Sequence, residues 1–215
     1  MLATGRGVAR DESAAFALYD KACQGGSVGD CTNLASALHL GQGVPTDAAR
    51  AREFYLRTCA AGDGAGCTGL GILELDAEGG APRDSAALLH FQAGCDRGHP
   101  LGCGNLGFLL ARGRGAPADP ARARSLYDRA CQAGAWEFCT SLGVLLANGE
   151  GGPRDPDRAA TLLARTCDHG EAAACFTLAF MHENSGREKV ARPLYERGCA
   201  LGDDESCAAV GRLRP

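Results

Sequence analysis

Apolar positions along the chain recur at fixed distances before six regularly spaced cysteines. An alanine stands eight residues before each of these cysteines, and tyrosine, phenylalanine or leucine stands four residues before. Offsets of eight, five and four residues lie on one side of an α-helix. The pattern therefore predicts six amphipathic helices, each called helix A, that end near Cys23, Cys59, Cys95, Cys131, Cys167 and Cys199.

A second apolar pattern follows each helix A after a short turn. A glycine lies three residues past the first cysteine, as Gly62 does after Cys59, and glycine suits the left-handed residue that ends a helix. A second cysteine follows, and leucine or valine lies three residues beyond it, with alanine or glycine next. This pattern predicts a second helix, helix B, with a small residue where a neighbouring helix can approach closely.

The paired pattern repeats along the whole chain of 215 residues. Four intervals between first cysteines are 36 residues long and the last is 32, a period that is typical of stacked repeat arrays. Glycine-rich connectors such as GQGVPTD at 41–47 join each helix B to the next helix A. We therefore predict an all-α solenoid of six αα-hairpin repeats of about 36 residues, continuous over 1–215. The predicted repeats span approximately 5–40, 41–76, 77–112, 113–148, 149–182 and 183–215.

The predicted starts of helix A carry residues that favour helix initiation. An aspartate, which caps backbone N–H groups, lies 11 or 12 residues before the first cysteine at Asp11, Asp47, Asp84, Asp119 and Asp155. The sixth repeat has SGRE at 185–188 instead, which matches a capping box. Pro193 falls inside the sixth helix A, where proline removes a backbone hydrogen bond, so we expect irregular packing there.

All 12 cysteines belong to pairs that are eight residues apart. In one continuous helix such residues lie ~12 Å apart, whereas a disulfide requires α-carbons within about 7 Å. The glycine turn would bring the two cysteines of a hairpin together, and each bridge would stabilise its hairpin by roughly 2–3 kcal/mol. We therefore predict the disulfides Cys23–Cys31, Cys59–Cys67, Cys95–Cys103, Cys131–Cys139, Cys167–Cys175 and Cys199–Cys207.

Zinc ligands and buried free thiols are the other interpretations of these cysteines. Structural zinc sites favour cysteines about two to four residues apart, and these pairs lack regular histidine partners. Six regular pairs are unusual for free thiols in a cytosolic protein. We expect disulfides in an oxidising compartment, with no metal and no cofactor.

The repeat pattern A-x-x-x-Y-x-x-x-C-x-x-G-x-x-x-x-C-x-x-L-G, with connectors of the type G-x-G-V-x-x-D, resembles the Sel-one-like repeat (SLR) family, which is related to the tetratricopeptide repeats. The subgroup with one disulfide per repeat resembles the bacterial secreted cysteine-rich protein (Hcp) family. The resemblance implies a right-handed superhelix with a concave face and a role as an adaptor or scaffold. It also implies an alternative, because some Hcp-type proteins are described as penicillin-binding or weakly active β-lactamases.

The net charge and the first residues of the chain indicate the compartment in which the protein works. The net charge of −4 gives no general attraction to nucleic acid, and no apolar run reaches the ~18 residues of a membrane span. The first residues lack the apolar core of a secretion signal, and the array opens on a connector, GRGVARD at 5–11, without a preceding helix B. We expect a secreted or periplasmic protein whose leader has been removed, with the mitochondrial intermembrane space as the alternative.

No catalytic residue stands out in the sequence. No serine has a lysine three residues later, as the serine β-lactamase motif requires, and the five histidines occupy unrelated repeat positions without a metal-binding motif. We therefore favour a protein- or peptide-binding scaffold, expected to be a monomer. The alternatives are a penicillin-binding protein or β-lactamase by resemblance, and an assembly or chaperone-like factor.

Cations and aromatic residues outside the core pattern are the candidate ligand-binding residues. Cations stand two residues before the first cysteine at Lys21, Arg57, Arg129, Arg165 and Arg197, and seven residues earlier at Arg50, Arg122 and Arg158. They could bind the carboxylates of an acidic peptide, a cell-wall fragment or a β-lactam, or they could only complement the helix macrodipole. Trp136 and Phe138 lie near one hairpin turn, where they could anchor a partner or pack locally.

Overall fold

The computed structural model describes residues 11–76 and 83–213, and all regular structure in these two ranges is α-helical. The all-α class is therefore confirmed. The helices are α1 (Glu12–Gln24), α2 (Val28–Leu40), α3 (Ala48–Ala60), α4 (Gly64–Leu75), α5 (Asp84–Asp96), α6 (Pro100–Ala111), α7 (Pro120–Gln132), α8 (Trp136–Asn148), α9 (Pro156–Asp168), α10 (Ala172–Glu183), α11 (Glu188–Ala200) and α12 (Asp204–Arg212).

Consecutive helices pair into six hairpins, as the repeat pattern predicts. The chain divides into two compact units, residues 1–118 with the hairpins α1–α2, α3–α4 and α5–α6, and residues 119–215 with α7–α8, α9–α10 and α11–α12. Within each unit, helix B of one hairpin packs against helix A of the next, as α4 packs on α5 and α10 on α11. One continuous array over 1–215 stays a prediction.

Each hairpin turns through three residues, the second of which is the predicted glycine. At Gly26, Gly62, Gly98, Gly134, Gly170 and Gly202 the φ angle lies between 79° and 95°, a region that favours glycine. The turn brings the α-carbons of the paired cysteines to within 4.4–4.9 Å, and all six predicted disulfides form. The fold class with one disulfide per repeat is thereby confirmed.

Aspartate caps begin most A helices, with two exceptions. The side chains of Asp11, Asp47, Asp119 and Asp155 each accept a hydrogen bond from a backbone amide three residues later. Asp84 is instead the first residue of α5, and its carboxylate binds Arg114 of the following connector. The predicted capping box at 185–188 is wrong, because α11 begins at Glu188 after Arg187, which makes no side-chain cap.

The small residue of helix B accommodates the next helix A. A Cβ at Gly71 of α4 would lie 2.5 Å from the ring of Phe91 in α5, and Phe91 is fully buried. A Cβ at Gly143 of α8 would lie 2.7 Å from Leu163 of α9. These glycines therefore let an aromatic or aliphatic side chain of the next hairpin pack against the backbone of helix B.

Pro193 lies inside α11 without ending it. The helix runs from Glu188 to Ala200, although proline cannot donate the backbone hydrogen bond at its position. Ala191 and Tyr195, which flank Pro193 on the inner face, are both fully buried. We infer that their packing against the preceding hairpin offsets the lost hydrogen bond.

Candidate functional site

The predicted cations lie on the surface at the last turn of their A helices. All five side chains, those of Lys21, Arg57, Arg129, Arg165 and Arg197, are exposed. They have different surroundings, however. Arg197 binds Asp168 of the preceding hairpin at 2.5 Å, and the guanidinium of Arg57 lies 5.7 Å from the centre of the Phe54 ring on its own helix. Arg57 and Arg197 therefore make separate local contacts.

Trp136 and Arg165, which the sequence indicated for separate reasons, lie side by side. The guanidinium carbon of Arg165 is 5.9 Å from the centre of the indole ring of Trp136. The imidazole of His169 stacks on the same indole at 3.7 Å, with 17° between the ring planes. Sequence reasoning missed His169, because a histidine after the last turn of α9 follows no repeat pattern.

Phe138 does not belong to this group. Its ring stacks on Tyr127 of the same hairpin with 6.0 Å between ring centres and 19° between planes. Phe138 is half-buried and Tyr127 is buried. The side chain of Phe138 thus packs within the hairpin formed by α7 and α8.

Trp136, at the start of α8, lines a groove between helices α7 and α9. We call it the α7–α9 groove. It encloses a cavity of about 470 Å³, a volume within the range of small-ligand sites. Its lining residues include Asp128 and Gln132 of α7, Trp136, and Thr161, Leu162 and Arg165 of α9.

An ion pair crosses this groove. Arg158 of α9 donates to the carboxylate of Asp128 on α7 at 2.9 Å, and both side chains remain partly accessible to solvent. Beyond the pair the groove continues as a second cavity of about 310 Å³, lined by Ala121, Arg124 and Ser125 of α7. The Asp128–Arg158 pair therefore separates a Trp136 end from an Arg124 end.

The charge of the Trp136 end favours anions. The charged residues that line it are two arginines, Arg158 and Arg165, and one carboxylate, Asp128. Arg158 is already paired with that carboxylate, so Arg165 provides the cation available to an anionic ligand. A planar guanidinium beside an indole can bind a carboxylate while an apolar group contacts the ring.

The half-buried histidines of the first unit support hairpin packing. Nδ1 of His99 lies 2.8 Å from Oγ1 of Thr68 in the preceding hairpin, and burial lowers the pKa of His99. Burial likewise lowers the pKa of His90. The described side chains include no cluster of His, Cys, Asp or Glu suited to a metal ion. None of the helices in the described ranges has the length and apolar character to cross a membrane.

Family comparison agrees with the hairpin geometry. The Sel1 repeat matches residues 1–27, 30–63, 100–134 and 136–171, more than half of the chain. The chain belongs to the Sel1 repeat family. The sequence matches no curated protein.

Solved structures share the fold at low sequence identity. A protective antigen of uropathogenic Escherichia coli with an SLR fold is 21% identical, with a TM-score of 0.78 over 99% of this chain. This chain spans 46% of the antigen's length. A Sel1 repeat protein from Oxalobacter formigenes is 21% identical, with a TM-score of 0.75. The match covers 92% of this chain and 80% of that protein.

A tetratricopeptide protein described as having an unusual peptide-binding site is also similar. It is 18% identical, with a TM-score of 0.56, and the match covers 91% of this chain and 98% of that protein. At such identity the similarity concerns the fold alone.

Proposed function

We propose that this Sel1 repeat protein is a scaffold that binds a protein or peptide in the α7–α9 groove. The supporting observation is the pairing of Trp136 with Arg165 at one end of a cavity of about 470 Å³. Aromatic and arginine side chains in a partly enclosed site are the residues that most often dominate binding energy at interfaces. The peptide-binding site of the structurally similar tetratricopeptide protein supports the same class of function.

The ligand that the groove favours is an extended segment with a carboxylate beside an apolar group. The carboxylate would bind Arg165, and the apolar group would contact Trp136 and Leu162. An exposed charge contact contributes only about 0.2–1 kcal/mol, so most of the affinity would come from burial of apolar surface.

The disulfides indicate an oxidising compartment, because bonds of this kind persist there and are rare in the cytosol. We propose that the protein works outside the cytosol, as a secreted or periplasmic scaffold. Its partner would then be a protein or a cell-wall fragment of the same compartment.

Selection from a random peptide display library against the oxidised protein tests this function. The same selection is run on the double variant Trp136→Ala/Arg165→Gln and on the control Arg97→Gln. Arg97 is an exposed arginine at a hairpin turn whose guanidinium binds the backbone of its own helix. The parent and the control should enrich peptides with an acidic residue next to an apolar one, and the double variant should lose them. Equal enrichment of the same peptides by the double variant would rule out the α7–α9 groove.

A further inference from the structure

The connector between α10 and α11 is shorter than the other connectors that the structure describes. It consists of 184–187, four residues, whereas 41–47 and 149–155 have seven residues each and 112–119 has eight. Together with the length of α10, which is one residue shorter than α2 and α8, this difference accounts for the last repeat interval of 32 residues instead of 36. The shorter connector also changes which residues cover the start of the preceding helix A.

In each long connector a glycine lies against the first turn of the preceding helix A. A Cβ at Gly43, Gly115 or Gly151 would overlap the backbone at the start of α1, α5 or α7, respectively. Serine hydroxyls add a second contact. Ser13 donates to the carbonyl oxygen of Gly43 at 3.3 Å, and Ser85 donates to that of Gly115 at 3.2 Å. The long connectors thus cover the start of the helix with closely packed backbone.

The short connector leaves the start of α9 uncovered. Its glycine, Gly186, also has a positive φ of 72°, but a Cβ there would contact nothing within 4 Å. Pro156 and Asp157, the first residues of α9, line a cavity of about 620 Å³. We call it the α9 cavity.

The first hairpin shows how the same space is filled elsewhere. There the equivalent region, lined by Glu12, Ala15, Phe16 and Gln42, retains a cavity of only about 10 Å³. Gln42 belongs to the long connector, and Phe16 occupies the repeat position that Ala160 holds in α9. In α9 the shorter connector and the smaller side chain both leave space. Val144, Ala147 and Asn148 of α8, which have no described counterpart before α1, form a further wall of the α9 cavity.

The chemistry of the α9 cavity suits a polypeptide ligand. Apolar residues Val144 and Phe180 line it and are 37% and 47% exposed, large values for such side chains. Nδ1 of His182, another lining residue, is buried and has no hydrogen-bond partner in the described part of the protein. Burial, together with the nearby Arg187, lowers the pKa of His182.

We propose that the α9 cavity binds a Gly-x-Gly turn of a partner protein, in the place that a long connector takes in the other hairpins. Glycine is required because side-chain atoms would meet the backbone of α9, as they would at Gly115 on α5. In the connector 112–119, Arg114 binds Asp84 of α5 with nitrogen–oxygen distances of 2.6 and 3.0 Å. The equivalent residue of α9 is Pro156, so the glycines of the ligand, and not the residue between them, would determine the fit.

A peptide with the sequence of residues 112–119, RGRGAPAD, with acetylated and amidated ends, is the probe. It is titrated into the oxidised full chain and followed by NMR chemical shifts of the protein amides. We expect saturable shifts in α9, α10 and the 184–187 connector. A peptide with alanine in place of the second glycine, the residue equivalent to Gly115, should bind at least tenfold more weakly.

Two protein variants complete the test. Replacing 184–187 by the eight residues of 112–119 restores a repeat of 36 residues and should weaken binding of the probe at least tenfold. The variant Trp136→Ala/Arg165→Gln should bind the probe as the parent does, which separates this site from the α7–α9 groove. The proposal is overturned if the parent does not bind the probe, or if the alanine peptide binds equally well. Unchanged binding by a folded lengthened-connector variant would overturn it too. If that variant does not fold, the two peptides on the parent chain decide.

Discussion

At the scale of single residues, glycine has two distinct roles in the hairpins. At the turns, Gly62 and its equivalents adopt a left-handed backbone conformation that other residues rarely adopt. Inside helix B, Gly71 has an ordinary helical backbone and is constrained by the ring of Phe91. Gly211 occupies the same repeat position in α12, but a Cβ there would meet nothing within 4 Å. The two glycines therefore allow packing and helix propensity to be measured separately.

Substituting Gly71→Ala should destabilise the protein, while the matched change Gly211→Ala should stabilise it slightly. Overpacking a buried contact costs about 1–3 kcal/mol, which exceeds the gain of about 0.5–1 kcal/mol from replacing a helical glycine by alanine. At Gly211 a Cβ meets no neighbouring atom, so only the gain in helix propensity applies. Urea denaturation of the oxidised variants measures both changes, and equal effects at the two positions would refute the packing role of Gly71.

A second residue-scale prediction concerns the buried carboxylate of Glu74. Its oxygens bind Arg52 at 2.7 Å and Arg83 at 3.4 Å, and the side chain is only 3% exposed. The hydrogen bond from Arg52, more than the nearby positive charges, lowers the pKa of Glu74 despite its burial. Because the folded-state pKa lies below that of the unfolded chain, this stabilisation is present above the unfolded value and is lost as pH falls.

The variant Glu74→Gln should lose about 1–1.5 kcal/mol of stability at pH 7, since a hydrogen bond to a charged group is replaced by a weaker one to a neutral amide. The difference from the parent should shrink below about pH 4, where the parent carboxylate also becomes protonated. Urea denaturation at pH 7 and pH 3 measures it. A difference of the same size at both pH values would show that the ionised form contributes nothing.

At the scale of the secondary-structure element, the unit of this protein is a hairpin closed by its own disulfide. The sequence was sufficient for the helix pairs, the turns and the pairing of the cysteines, because each depends on spacing within one repeat. It was insufficient at the sixth hairpin, where Ser185 does not cap α11 and Pro193 does not interrupt it. There the contacts with the preceding hairpin, which no local pattern records, determine the outcome.

Removing one disulfide should weaken one hairpin only. The double variant Cys131→Ala/Cys139→Ala should lose roughly 2–3 kcal/mol of stability, because a disulfide no longer restricts the unfolded loop. Hydrogen exchange measured by mass spectrometry should show faster exchange in α7 and α8, with little change in the unit of residues 1–118. Faster exchange throughout both units would mean that each bridge stabilises more than its own hairpin.

At the scale of the whole molecule, repetition makes the hairpins similar, and departures from the repeat create the two candidate sites. Trp136 and His169 occupy positions that carry small or polar residues in most other hairpins, and their contact spans two hairpins. The sequence therefore indicated Trp136 and Arg165 separately, but the groove that joins them depends on the packing of α7 against its neighbours. The α9 cavity could not be predicted from the sequence either, although the shortened repeat marks its position.

The Trp136 end of the α7–α9 groove is the ligand site that we propose. Trp136 is the only tryptophan of the chain, so its fluorescence reports on that site alone. The most direct measurement is the Trp136 emission during titration with an acidic peptide enriched by the display selection, at low and high salt. If the peptide binds beside Trp136, the emission should change saturably, and the affinity should fall as salt screens Arg165. Binding detected by calorimetry without any change in Trp136 emission would contradict the proposed site.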